Sequence, residues 1–248
     1  MNAGHTWRTA VRVITQLRRD PRTVVMLLLL PALLTWLLQY IFSEAPVPPT
    51  GPIFNTIGPR IMGLFPLILM FLITSITMLR ERTSGTLERL MVGPTGKGDV
   101  VVGYAIAFGA IGTIQALIMT VWSRWPLGLE IDGGMWRLAI IMILDSLVGT
   151  ALGLLASAIA KTEFQAVQMM PLAIIPQLLL AGLFLDRADM PVALEYVSDV
   201  LPVSYSIDAI NNILAGDGNA IWAQVAILVA FIVGSLILGS LTLRRRTE

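Results

Sequence analysis

The sequence predicts an all-α, polytopic membrane protein. It reads as six transmembrane helices, an amphipathic N-terminal interfacial helix, a charged cytoplasmic helix between spans two and three, and outer re-entrant helices between spans five and six. Three observations predict this. Of 248 residues, 56% are apolar and only 13% charged, with mean hydropathy +0.78. That is about half the charged share of a soluble domain, too little to cover a core of this apolarity, so the bilayer is the natural solvent. Apolar runs of about the 20 residues that a crossing needs recur six times. Lysine and arginine crowd onto alternate connections.

The elements follow in order. In "HTWRTAVRVITQLRRDP", Trp7, Val11, Ile14 and Leu17 recur at helical spacing and arginines fill the other face. This is an amphipathic helix on the membrane surface, or a basic topology anchor with no further role. No small-residue cleavage site follows the first apolar run, which argues against a secretory signal. The six spans are Val24–Phe42, Pro59–Leu79, Val100–Trp122, Leu138–Ala160, Phe164–Leu185 and Ile221–Leu243. The fifth contains Pro171 and Pro176, which predict a kink. Between Asp186 and Ala220 the apolar pattern is too interrupted to span, and reads as short interfacial or re-entrant helices.

Charge sets the orientation. One side carries 13 of the 17 lysines and arginines: Arg8, Arg12, Arg18, Arg19, Arg22, Arg80, Arg82, Arg89, Lys97, Lys161, Arg244, Arg245 and Arg246. The other side carries Arg60, Arg124, Arg137 and Arg187. Both termini are therefore expected in the cytoplasm of a cell (inner or plasma) membrane protein. Residues 1–248 read as one membrane domain without a nucleotide-binding domain.

Several function classes are disfavoured. A net charge of +1 argues against nucleic acid. With no cysteine and a single histidine, His5, disulfides and thiolate metal sites are excluded and no catalytic or metal residue is named. The "GPTGK" stretch is no phosphate-binding loop. Met91 stands where the first glycine belongs and Gly98 replaces the magnesium-binding hydroxyl. Pro94–Gly98 reads as a helix stop and turn.

The charged connection "RERTSGTLERLMVGPTGK" is longer than a turn requires. Thr83 or Ser84 can cap a helix whose apolar edge is Leu87, Leu90 and Met91, with Glu81, Arg82, Glu88 and Arg89 around it. It is a solvated charged loop, or a helix that lies against headgroups or a soluble partner.

The residues then become specific. "ERTSGTLERLMVGPTGKGDVVVGY" resembles the cytoplasmic signature of ABC type-2 exporter permeases. The long stretch from Ser157 to Ile210 is similar to that family's fifth span and outer loop, with its Gly-Leu-Phe, Met-Pro and Leu-Pro-x-Ser-Tyr. The likeness is to the drug-exporter, daunorubicin-resistance type. Tyr104 departs from it, standing where many relatives place lysine. The resemblance implies two permease chains, as homo- or heterodimer, and two copies of an ABC ATPase subunit. ATP and magnesium would sit on the ATPase, and this chain would bind no cofactor. It implies an ATPase-coupling helix of Glu81, Arg82, Gly85, Thr86, Leu87, Glu88, Arg89 and Leu90. In it Gly85 would allow close approach, the charges would pair across the contact, and Leu87 and Leu90 would anchor it.

Within the membrane, ionisable and polar residues are functional candidates by default. Asp145 lines a polar conduit, pairs with Arg137 or Arg60, or simply hydrogen-bonds a neighbouring helix. Gln115, Gln165, Gln168 and Gln177 serve substrate contact or helix packing, and Gln177 follows the second proline. Met169 and Met170 offer an adaptable apolar lining. Ser146, Gly149, Gly153 and Ser157 form a small-residue face, for packing within the chain or between two copies. The leading function is a permease subunit exporting hydrophobic or amphipathic molecules. Export of a lipid-linked polymer or glycolipid uses the same architecture, and a recruiting receptor or an intramembrane enzyme are the other classes.

Overall fold

The protein is described by a computed structural model covering residues 2–47, 51–87, 89 and 96–242. No strand occurs among these residues. The α-helices are α1 (Ala3–Arg18), α2 (Pro21–Phe42), α3 (Ile53–Thr83), α4 (Lys97–Arg124), α5 (Met135–Ile159), α6 (Glu163–Leu180), α7 (Val192–Ser198), α8 (Pro202–Leu214) and α9 (Trp222–Thr242). Two 3-10 turns, Arg187–Asp189 and Gly218–Ile221, complete the outer segment.

Local chemistry sets the boundaries. Asp20 caps α2 through the Thr23 amide at 3.3 Å and hydroxyl at 2.6 Å, and these bonds hold its carboxyl below the usual range. Pro21 follows at the first helical position, where its missing N–H costs nothing. Helix α3 ends at Thr83, and Gly85 follows at φ +72° with nothing near its α-carbon. Its conformation, which only glycine adopts without strain, stops the helix. Lys97 and Gly98 open α4 rather than ending a turn, and Gly96 caps it.

Among the described residues, five helices are long and apolar enough to cross a membrane: α2, α3, α4, α5 and the stretch Gly218–Leu241 that leads into α9. Helix α3 is longer than its expected span by a turn or more at each end. Its 31 residues run about 46 Å at ~1.5 Å per residue, well beyond a hydrocarbon core of about 30 Å. The expected fifth span is the shorter α6, 18 residues interrupted by Gln165, Gln168 and Gln177, and it is not among the five.

Helix α5 is the centre of the bundle. Its small face lies inside the chain against α3. A Cβ on Gly149 would overlap the Leu67 carbonyl oxygen, and one on Gly153 would come within 2.6 Å of the Phe71 carbonyl. Such backbone-to-backbone approach is what small residues permit in membranes, where van der Waals packing replaces the hydrophobic drive. Around α5 the apolar core joins Leu64, Leu67 and Phe71 of α3 to Leu144 and Val148, with Val203 and Ile207 of α8.

The outer helices return into the bundle. Ser206 of α8 donates to Asp145, and Ile210 lies over Gly63 of α3. Asp145 is ten residues beyond the start of α5, about 15 Å along its axis. Helix α8 therefore packs back against α3 and α5. Arg187 clamps the segment from above, pairing with both Asp199 and Asp208 and lying 5.6 Å from the Tyr205 ring.

Candidate functional site

The charged end of α3 is the part of the chain whose sequence has no use in a simple bundle. Its geometry starts from α1. Asp99, in the first turn of α4, accepts from the Asn2 amide at 2.9 Å, the Thr6 hydroxyl at 3.1 Å and the Gly96 amide at 3.0 Å. One carboxylate thus caps its own helix and pins the start of α1 across it. Ala10 and Val13 then bury against Val100, Val101 and Tyr104. The polar side of α1 turns inward at Arg12. Its Nη1 donates to both oxygens of Glu81, at 3.0 and 3.1 Å, and its Nη2 to the Tyr104 hydroxyl at 3.1 Å. Gln16 donates to Glu81 at 3.3 Å. Three helices are tied through the Arg12 guanidinium, against a Glu81 that is only 7% exposed.

This places the sequence-named coupling residues. Glu81 is bonded inside the chain to Arg12 and Gln16. Arg82 donates to the Ser157 carbonyl of α5. Leu87 is 4% exposed and packs with Ala10, Val13 and Tyr104, so it anchors the turn to its own chain. Thr86 is half-buried, its hydroxyl 3.0 Å from that of Ser84. Arg89 is helical and exposed. Glu88 and Leu90 lie outside the described residues, as does Met91. Thr83, Ser84 and Thr86 line an open cleft of about 640 Å³ with Gln16, Asp20 and Arg80.

Reasoning from sequence missed Arg12, Asp99 and the part played by Tyr104. Arg12 counted only as a topology charge. The one available signal was Tyr104 itself, a hydroxyl at a position where the resemblance leads one to expect a cation.

The membrane-embedded candidates each engage a different neighbour. Asp145 is fully buried and accepts from Ser206, while its other carboxylate oxygen has no hydrogen-bond partner and faces Gly63. It pairs with neither expected arginine. Arg60 donates to Asn211 at 2.8 Å, and Arg137 to the Gly133 carbonyl at 2.6 Å and Asn219 at 3.1 Å. Gln177 of α6 turns back on its own helix, donating to the Ala173 carbonyl at 2.8 Å. Met169 and Met170 are half-buried and pack on the apolar core around Leu64 and Phe71.

Gln115 has a precise structural explanation. It is buried and donates to the Leu27 carbonyl of α2 at 3.2 Å. Leu27 stands four residues before Pro31, whose ring nitrogen has no proton for it. The glutamine supplies the missing donor from the neighbouring helix. Replacing Gln115 with leucine is expected to cost about 1 kcal/mol, the ordinary worth of an interhelical bond in a membrane protein. Thermal unfolding in detergent reads the loss. An unchanged unfolding temperature would mean that Leu27 needs no partner.

Comparison with known proteins agrees with this architecture. The family model described as ABC-2 type transporter matches residues 5–215. Over 175 residues the chain is 26% identical to the "Probable multidrug ABC transporter permease YbhR" of Escherichia coli K12, covering 68% of this chain and 48% of that protein. It is 27% identical over 165 residues to ABC transporter G family member 23 of Dictyostelium discoideum, covering 65% and 23%. It is 24% identical over 157 residues to the linearmycin resistance permease protein LnrN of Bacillus subtilis, covering 62% and 40%. The chain thus spans about half or less of the length of these curated relatives. With the family match running from α1 through α8, the chain belongs to the ABC-2 type transporter family.

Proposed function

We propose that the chain is the membrane subunit of an ATP-driven exporter and moves hydrophobic or amphipathic small molecules out of the cytoplasm or inner leaflet. One observation carries the reading. The end of α3 is locked to α1 and α4 by the Arg12–Glu81–Tyr104 cluster, beside it Thr83, Ser84 and Thr86 border an open cleft, and Arg89 follows exposed. A rigid end with a polar exposed rim suits transmission of a push from a soluble subunit into long helices. The names of the bacterial relatives, multidrug and linearmycin resistance permeases, support the substrate class.

In this reading the α1 side is cytoplasmic, as the 13-to-4 charge distribution favours. Helix α6 then completes a six-helix membrane domain, the chain pairs with a second permease chain, and two ATPase subunits carry ATP and magnesium. Contact with the ATPase falls to Arg89 and to the neighbouring Glu88 and Leu90, while Glu81 and Leu87 hold the platform. Asp145, Gln115 and Gln177 act in packing before they act on a substrate.

The test is charge reversal at Glu88 and Arg89. Glu88→Arg with Arg89→Glu is expected to leave membrane insertion unchanged. It should weaken co-purification with the ATPase subunit by well over tenfold, since losing a desolvated charge contact costs about 2 kcal/mol or more. ATP hydrolysis in reconstituted vesicles should lose its stimulation by the permease. Normal assembly and hydrolysis in that variant would sink the coupling role of this turn.

A further inference from the structure

Four arginines, Arg8 on α1 and three at its corner with α2, form no salt bridge among the described residues. Arg8, Arg18, Arg19 and Arg22 are exposed, and among the described residues none lies within 4.0 Å of a carboxylate. Arg12, by contrast, is turned inward. Asp20 is the one acid in residues 1–43, and Thr23 already occupies both its oxygens.

The face of α1 that leads to this corner exposes apolar bulk. Trp7 is 62% exposed and Val11 44%. At about 100° per residue, Trp7, Val11 and Arg18 fall within one narrow stripe of α1, and Arg8 and Arg19 flank it on one side. Past Arg22 the exposed Val25, Met26 and Leu29 of α2 carry the apolar surface on into a span. An indole with a valine, edged by guanidinium groups and continuous with a membrane helix, fits the boundary between acyl chains and headgroups. The rings and stems take the apolar side and the guanidinium forks the phosphates.

We propose that this corner is a binding surface for anionic phospholipid, reading the phosphate-bearing, net negative headgroups of the leaflet it faces. It rests on the reading that α1 lies at the membrane surface of an inserted permease. Beyond anchoring, the surface sets the position of α1. Because α1 carries Arg12, lipid charge then bears on the end of α3.

The experiment uses the purified full chain in nanodiscs of phosphatidylcholine doped with either brominated phosphatidylglycerol or brominated phosphatidylcholine. Quenching of Trp7 is the difference between the protein and its Trp7→Phe variant, which isolates it from the other tryptophans. Brominated phosphatidylglycerol is expected to quench Trp7 at a mole fraction at least tenfold lower. The triple variant R18Q/R19Q/R22Q should lose that preference, each arginine near a charged surface carrying about fivefold. It should keep its quenching by phosphatidylcholine and its unfolding temperature, and R18K/R19K/R22K should keep the preference. Equal quenching by the two lipids overturns the proposal. So does a triple variant that keeps the lipid preference but loses co-purification with an ATPase, because the corner would then dock a protein. A nanodisc presents both faces, so an inverted orientation leaves this result intact. A chain that prefers the anionic lipid but binds no ATPase sinks the transport reading alone.

Discussion

Gly149→Leu is expected to yield little folded protein. A side chain at this position enters a backbone-to-backbone helix contact, where the Leu67 carbonyl of α3 occupies the space of a Cβ. The obstacle is backbone, so no rotamer change relieves it, and α3 and α5 must separate along their whole packed length. Overpacking costs typically 1–3 kcal/mol even where side chains adjust, and here about 3 kcal/mol or more is expected. Gly149→Ala should fall between. Gly234→Ala is the control, because nothing lies within 4 Å of a Cβ there, and it should be neutral or stabilise by up to about 1 kcal/mol. Monodisperse yield after detergent extraction and thermal unfolding read all three. If Gly149→Leu is as stable as Gly234→Ala, the close α3–α5 packing is wrong.

Arg12→Ala is the second large effect. It leaves Glu81, whose side chain is 8% exposed, with only the Gln16 amide as a donor. Breaking a buried ion pair from one side costs about 3–5 kcal/mol because the remaining charge is uncompensated. Arg12 itself is 27% exposed, so the lower end of that range is expected. The double variant Arg12→Met with Glu81→Met removes both charges and should recover most of the stability, since apolar replacement of a whole buried pair is often neutral. The recovered protein then isolates function from folding. If the pair transmits motion, it should assemble with the ATPase but stimulate hydrolysis poorly. A double variant no more stable than Arg12→Ala would remove the ion pair from the account.

Both effects fall where the sequence was partly legible. The stripe Ser146, Gly149, Gly153 and Ser157 announced close packing, yet its partner, α3 of the same chain rather than a second copy, depends on how the helices assemble. Composition and periodicity determined that the chain is helical and suited to a bilayer, because hydrogen-bond satisfaction in lipid leaves few alternatives. Local residues determined where several helices begin and end, as with Asp20 and Pro21, because caps act over a single turn. They also marked the segment after Asp186 as too interrupted to span.

Side-chain partners were another matter. Glu81 and Leu87 were expected at a partner contact, and Gln115 and Asp145 either at a conduit or in helix packing. Each meets a residue far along the chain: Arg12, Val13, Leu27 and Ser206. A buried polar group settles on whichever donor or acceptor the packing brings within about 3 Å, and sequence spacing does not encode that distance between helices. The fifth apolar run shows the same limit from the other side. Its length was readable, but the chain leaves the helix at Leu180, and Gly182 turns at φ +83° beneath the Arg187 side chain. The sequence by itself thus determined the helical class, the apolar runs and the charged connection. Tertiary structure decided which polar groups are buried, because burial depends on what each face meets.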